Sequence, residues 1–278
     1  PLTLATSATG WLAALAFLIF APPRFRTQPA TPSPQIQNPK SKIQNPLTLL
    51  PTYNESANVT AILTKILAAD PRLQILVIDD ASPDGTADLV RAHPAFGDRV
   101  QLLTRSGKLG LGSAYREGFR HAIDNGHDAI VEIDADHSHD PADIPRLLAA
   151  LEGGCHAAIG SRYLDGTRVI NWPRHRLFLS TLATRYTRIL TGLFLTDATS
   201  GFKAIRTSAL RSIPLETLRA DGYGFQIELH WLLWQTGHQI RDIPITFTER
   251  RSGQTKMTAA IALEAAHLIP RLAVRKTP

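Results

Sequence analysis

Four aspartates and one tyrosine stand just beyond apolar runs, where a phosphate ester or a metal ion could be handled. EIDADHSH, residues 132–139, closes such a run with Asp134 and Asp136, one residue apart, followed by His137 and His139. QILVIDD ends on Asp79 and Asp80, and LTLL is followed by PTYNE, which carries Tyr53 and Glu55. Turns favour aspartate, so one Asp-x-Asp pair alone says little. Two hard oxygen ligands beside a phosphate site are nevertheless what Mg2+ or Mn2+ needs to bridge a diphosphate and improve it as a leaving group. His137 and His139 read as surface or turn histidines, since neutral imidazole suits Mg2+ less well than oxygen.

KLGLGSAYREG, residues 108–118, adds a glycine-rich turn opening a helix, as close backbone approach to a ligand requires. It lacks the GxxxxGK[ST] spacing, and no GxGxxG follows the first apolar run, which argues against nucleotide hydrolysis and dinucleotide binding.

The elements that must hold these residues begin at Leu47, where short apolar runs alternate with longer amphipathic ones. LTLL, QILVID, RVQLLT, AIVEIDA and HAAIGS read as strands joined by helical crossovers, hence an α/β fold around a mostly parallel sheet. Such sheets bind ligands at the carboxyl ends of their strands, which is where the candidate residues lie.

Residues 1–46 are of another kind. The run WLAALAFLIFA, residues 11–21, is eleven residues long, against the roughly 20 of a membrane-spanning helix. With the neutral stretch before it, the run nearly reaches a span, and Arg24 and Arg26 would keep the domain beyond them on the cytoplasmic side. A secretory signal fits less well, because no basic residue precedes the run. A chain opening on proline also reads as a fragment or a misplaced start. From Pro22 to Pro46 the composition, with IQNP twice, is that of a disordered linker. The boundaries are therefore 1–46 for the apolar segment and linker, and 47–278 for the folded domain.

The 278 residues, 44% of them apolar, suffice for a sizeable core. A single cysteine, Cys155, excludes an intrachain disulfide and a cysteine zinc cluster. Within the net charge of +6, residues 47–161 hold nine Lys/Arg against sixteen Asp/Glu, and residues 162–278 hold seventeen against eight. The acidic part suits a divalent cation, and the basic part suits phosphates or an anionic membrane surface. Nucleic acid is set aside as a partner: helix-turn-helix, zinc-finger and aromatic RNA-binding patterns are all missing.

PTYNESANV, VIDDASPDGT, KLGLGSAYREGF, EIDADHSHDP, GSRYLDG, NWPRHRLFLS, DATSGFKAI, GYGFQIEL and ERRSGQTKM occur in the order seen in one family. Over residues 47 to 262 the chain resembles the polyprenyl-phosphate (dolichol-phosphate) mannosyltransferases of glycosyltransferase family 2. The resemblance implies a GT-A, Rossmann-like nucleotide-sugar-binding fold, a donor that is usually GDP-mannose, and a polyprenyl or dolichyl phosphate acceptor. It implies that Pro51, Tyr53 and Glu55 hold the nucleoside, with Asp79 and Asp80 near base and ribose. Asp134, Ala135 and Asp136 would face diphosphate and metal, Mg2+ or Mn2+, with Asp134 and Asp136 as ligands. Arg250 and Lys256 would close over the donor phosphates, while Arg162, Arg176 and Ser180 would receive the lipid phosphate. Thr255 and Thr184 depart from the usual Ser and Asn. A different donor such as UDP-glucose, or a saccharide acceptor, remains the alternative.

A phosphate monoester is anionic near neutral pH and attacks without a general base, so the expected reaction is a one-step inverting displacement. Leu179, Leu182, Tyr186, Ile189, Leu190 and Leu193 fall at helical spacing within residues 172–195, with Arg176, Arg185 and Arg188 elsewhere on the helix. This helix and a second stretch at 257–275 are expected at a membrane surface, placing the enzyme peripherally or weakly anchored on the cytoplasmic face.

Overall fold

The structure is a computed structural model describing residues 41–249 and 259–275. Parallel strands come first: β1 (Pro46–Thr52), helix α1 (Val59–Ala69), β2 (Gln74–Asp79), α2 (Thr86–Arg91) and β3 (Val100–Thr104). Next come α3 (Leu111–Asp124), β4 (Ala129–Glu132), α4 (Ile144–Glu152) and β5 (Ala157–Ser161). The chain continues through β6 (Val169–Ile170), α5 (Arg174–Thr191), β7 (Lys203–Arg206), α6 (Thr207–Arg211) and α7 (Gly222–Gln235). It ends with β8 (Ile240–Pro244), β9 (Phe247–Thr248) and α8 (Ala259–Val274).

Seven strands form one sheet in the order β3-β2-β1-β4-β7-β5-β8. Only β7 is reversed, pairing antiparallel with both β4 and β5. The five strands expected from sequence are present; β7, which starts within the GFKAI run, joins them in the middle of the sheet. Side chains alternate across the sheet, and both faces are covered, as a largely parallel sheet requires. Leu47, Leu49, Leu76 and Ile78 pack under α3 and α7, with Tyr115, Phe119 and Phe225. Leu50, Ile75 and Val77 pack on the opposite face under α1 and α4, with Ile62, Ile66 and Leu147.

The N-terminal boundary differs from the compositional one. Residues 41–45, assigned to the linker by their polarity, are built into the domain. Ile43 is buried and donates its N–H to Glu152, while Gln44 and Asn45 donate theirs to Asp128. Arg206 reaches the Ser41 carbonyl at 2.7 Å. A short polar segment can be ordered when its backbone groups find partners, which composition does not reveal. The run at 11–21 lies outside the described residues. Among the described residues, no helix is long and apolar enough to cross a membrane.

Candidate active site

The loops leaving β1, β2 and β4 meet at one sheet edge because these strands are parallel neighbours. Each loop holds a non-glycine residue in the left-handed region: Asn54 at φ 58°, Ala81 at 53° and His137 at 62°. For alanine that conformation costs roughly 1–2 kcal/mol, and such strain gathers where a site fixes its backbone.

Asp79 and Asp80 part ways at the end of β2. Asp79 is buried and accepts from Thr52 Oγ1 at 2.8 Å, Ser82 N at 2.9 Å and Ser82 Oγ at 2.6 Å. Its carboxylate thus seams the β1 and β2 loops together. Asp80 receives Arg105 Nη1 at 2.7 Å and Leu109 N at 3.2 Å. Burial raises the Asp80 pKa, with the Arg105 charge working against it. Lys108 Nζ sits 4.5 Å from the centroid of the Tyr53 ring, so the β1 and β3 loops face each other across the edge. Pro51 is half-buried near the end of β1, paired in register with Ile78. Glu55 is buried and accepts from Asn58 Nδ2 at 2.9 Å.

The glycine-rich turn closely approaches another part of the chain. A Cβ on Gly110, whose φ is +95°, would lie 2.6 Å from Asp221 Oδ2, and one on Gly112 would lie 2.4 Å from the Ala220 carbonyl. The Gly112 N–H donates to Asp221 Oδ1 at 2.9 Å, so the Asp221 carboxylate caps the N-terminus of α3.

Asp134 opens on the edge with 41% of its side chain exposed. Asp136 is buried, its Oδ1 accepting the Ser138 N–H at 3.0 Å, and Ala135 between them is buried too. Among the described residues no group of three or more His, Cys, Asp or Glu side chains converges on a metal position. One open and one sheltered carboxylate are hard oxygen donors of the kind a divalent ion takes. Beneath them, Lys203 Nζ lies 2.9 Å from Glu132 Oε2, and Gln226 bonds both.

His139 departs from the surface position read from sequence. It is buried between the rings of Phe202 and Phe247, each 5.1 Å away centre to centre, with Nδ1 3.9 Å from Asp134 Oδ2. Burial pushes its pKa down to about 4, leaving the imidazole neutral at pH 7. His137 is half-buried in its left-handed turn.

Arg162, Arg176 and Ser180 are brought together on the other side of the edge. The Trp172 ring lies between the two guanidinium groups, 5.1 Å from that of Arg162 and 4.6 Å from that of Arg176. Tyr163 Oη donates to Ser180 Oγ at 2.7 Å. Both arginines also hold carboxylates. Arg162 forks onto Asp197 at 2.6 and 2.7 Å and reaches Thr199 Oγ1 at 2.8 Å, entirely in the interior. Burial works to raise the Asp197 pKa, but Arg162 outweighs it and holds the acid below its ordinary value. Arg176 donates to both oxygens of the half-buried Glu249, at 2.6 and 2.9 Å. The small β6–β9 sheet ties these halves together: Thr248 N donates to the Ser138 carbonyl and Glu249 N to that of Ile170. Arg250 and Lys256 lie outside the described residues.

The sequence profile of Glycosyl transferase family 2 matches residues 48–213, more than half of the chain. The chain belongs to glycosyltransferase family 2. This family 2 chain is 43% identical to the undecaprenyl-phosphate mannosyltransferase of Micrococcus luteus over 219 residues, 79% of this chain and 90% of that protein. It is 42% identical to the polyprenol monophosphomannose synthase of Mycolicibacterium smegmatis over 236 residues, 84% and 88% of the two chains. Among solved structures it resembles the glucosyl-3-phosphoglycerate synthase of Mycobacterium tuberculosis bound to Mn2+, UDP and phosphoglyceric acid. The TM-score is 0.64 at 18% identity, covering 84% of this chain and 80% of that one. The same enzyme with Mn2+, UDP-glucose and phosphoglyceric acid gives a TM-score of 0.63 at 19% identity, covering 83% and 80%. The family 2 chain is a glycosyltransferase with the GT-A fold.

Several residues of this family 2 site received no role from sequence. Asp197 in DATSGFKAI and Gln226 in GYGFQIEL sit in quoted motifs, but their partners are 35 and 94 residues away. A signal was present for Glu132 and Lys203: each interrupts an otherwise apolar run, a position where a charge needs a partner.

Proposed function

We propose that this enzyme transfers mannose from GDP-mannose to polyprenyl phosphate with inversion at the anomeric carbon. The observation that carries the reading is the match to two polyprenyl-type mannosyltransferases over about four-fifths of the chain. The geometry is compatible with it, since an open carboxylate edge faces an arginine–tryptophan–serine cluster.

Pro51, Tyr53 and Glu55 hold the nucleoside, with Lys108 backing the Tyr53 ring and Asp80 near the ribose. Asp79, enclosed by Thr52 and Ser82, fixes the loops around that nucleoside. Asp134 and Asp136 would hold Mg2+ or Mn2+, which when bound would supply positive charge against the leaving diphosphate. Arg250 and Lys256 close over the donor phosphates. On the acceptor side, Arg176 exchanges Glu249 for the lipid phosphate, Ser180 donates a hydrogen bond to it, and Arg162, locked by Asp197, sets the position of Trp172. A phosphate oxygen forms the bond to the anomeric carbon as the bond to the diphosphate oxygen breaks, and the nucleoside diphosphate departs. The acceptor is already anionic, so no proton has to be removed. The half-exposed Phe178 and Leu179 on α5 meet the membrane surface carrying the acceptor.

The test is a panel of radiolabelled GDP-mannose, UDP-glucose and UDP-GlcNAc, each offered polyprenyl phosphate or polyprenol with Mn2+. Product from GDP-mannose and polyprenyl phosphate alone is expected. Equal transfer to polyprenol, or a preference for a UDP-sugar, overturns the acceptor or the donor assignment respectively.

A further inference from the structure

Hydroxyls on α5 are used in two ways. Thr181, Thr187 and Thr191 each donate back to the carbonyl four residues earlier, at 3.0, 2.9 and 2.7 Å, the ordinary resort of a threonine inside a helix. Ser180 instead accepts, from Tyr163 Oη at 2.7 Å, so its own proton is left for another partner.

The backbone that carries Tyr163 is fixed in turn from the edge strand β8. Asp242 on β8 is in register with Ile159 of β5, and Ser161 lies two residues further along β5 on the same face. Asp242 Oδ2 accepts from Thr196 N and Thr196 Oγ1, both at 2.7 Å. With the Thr196 proton committed there, only the serine can supply the hydrogen in the 2.7 Å contact between Thr196 Oγ1 and Ser161 Oγ. Ser161 Oγ is then left as an acceptor, and it receives Tyr163 N at 3.2 Å and Leu164 N at 3.1 Å. Each hydroxyl between Asp242 and the Tyr163 peptide thus points one way.

We propose that Tyr163 is a positioning residue of the acceptor site, turning the Ser180 proton toward the acceptor phosphate, and that Asp242 holds it in place through Thr196 and Ser161. The inference rests on the reading of Ser180 as a residue that receives the lipid phosphate. Without the phenol, the Ser180 hydroxyl turns back to the Arg176 carbonyl, four residues earlier, as its neighbours on α5 do. Without the Thr196 hydroxyl, Ser161 loses its acceptor, and the Tyr163 peptide loses the oriented oxygen that holds it.

The probe is farnesyl phosphate, a short polyprenyl phosphate, titrated calorimetrically into the whole protein in detergent, with GDP and Mn2+ titrated separately. Tyr163→Phe and Thr196→Val are each expected to weaken farnesyl phosphate about threefold to tenfold, the worth of one hydrogen bond. GDP affinity stays within about twofold of wild type in both. Thr196→Ser, which returns the hydroxyl, brings farnesyl phosphate binding back to within about twofold. In transfer assays the weakened variants raise the KM for polyprenyl phosphate by the same factor, with kcat at saturating acceptor within about twofold of wild type. Wild-type affinity in Tyr163→Phe overturns the inference outright, and wild-type affinity in Thr196→Val alone overturns the part given to Asp242. Equal losses of farnesyl phosphate and GDP mean a general structural defect and overturn it too. Should Thr196→Val melt early, Ser161→Ala takes its place, judged by the ratio of the two affinities. Failure of the mannosyltransferase reading looks different: the wild type binds farnesyl phosphate yet transfers no mannose to it, or binds none at all, which removes the acceptor site and this inference together.

Discussion

Lys203 and Glu132 stand directly opposite each other across the antiparallel β4–β7 pair, 2.9 Å apart, with neither side chain reached by solvent. Asp134 lies two residues beyond Glu132, so the pair forms the floor of the carboxylate edge. Removing one partner strands the other charge. Glu132→Ala or Lys203→Ala is therefore expected to cost about 3–5 kcal/mol of stability, while Glu132→Leu/Lys203→Met recovers most of it. Urea denaturation of the three variants measures this; single variants losing less than about 1 kcal/mol would mean the interior is wetter than the fold indicates.

Arg162 and Arg176 should separate by stability. Arg162→Ala leaves Asp197 charged and enclosed, a loss of about 3–5 kcal/mol, or roughly 6–20 °C in melting temperature. Arg176→Ala strands only Glu249, whose side chain is 23% exposed where that of Asp197 is fully enclosed, and should shift melting less while raising the KM for polyprenyl phosphate about tenfold to a hundredfold. Calorimetry and acceptor titration at fixed donor decide it. Comparable melting shifts for the two would contradict the different burial of their carboxylate partners.

Asp134→Asn and Asp136→Ala each remove a charged oxygen donor that water replaces poorly. Mn2+ affinity in the presence of GDP, followed by its electron paramagnetic resonance, should fall on the order of a hundredfold in both. Wild-type turnover indifferent to EDTA would remove the metal from the scheme.

Acid should destabilise the protein through its interior histidines. His156 accepts the Gln239 N–H on Nδ1, which requires a neutral ring, and burial lowers its pKa to about 4, with His238 and Arg206 adding to the effect. An unfolded histidine titrates near 6.5, so the unfolded chain binds the proton first as pH falls. The stability is complete above pH 6.5 and drains between 6.5 and 4, at about 1.4 kcal/mol per pH unit for each such ring. His139 shares that window. His156→Asn keeps an acceptor without the titration, and its unfolding free energy should fall less steeply from pH 6.5 to 5 than that of wild type. Parallel slopes for the two proteins would show that His156 stays protonated in the fold.

The parallel half of the fold was legible because its strands are apolar runs ending in polar turns, and alternation within LTLL and QILVID distributes Leu49 and Leu50, or Val77 and Ile78, to opposite cores. The sheet edge followed from those strands. What escaped depends on pairing across long separations. Nothing local says that KAIR runs backwards between β4 and β5, so the Glu132–Lys203 contact was invisible although both charges stood out. His139 looked polar beside aspartates, and only the return of Phe202 and Phe247 enclosed it. Gly110 and Gly112 advertised a close approach truthfully, but the sequence could not name Asp221 as its object.

The reversal of β7 has a consequence for how such enzymes diversify. Between Ser161, where β5 ends, and Lys203, where β7 begins, the chain makes one excursion that holds Arg162, Trp172, Arg176, Ser180 and Asp197. Ile159 and Lys203 are register partners, so the excursion leaves and re-enters the sheet at neighbouring points. A loop anchored in this way tolerates changes in length cheaply, each doubling costing only about 0.6 kcal/mol in closure entropy. Evolution can therefore graft a new surface into this interval while the loops leaving β1, β2 and β4 stay as they are.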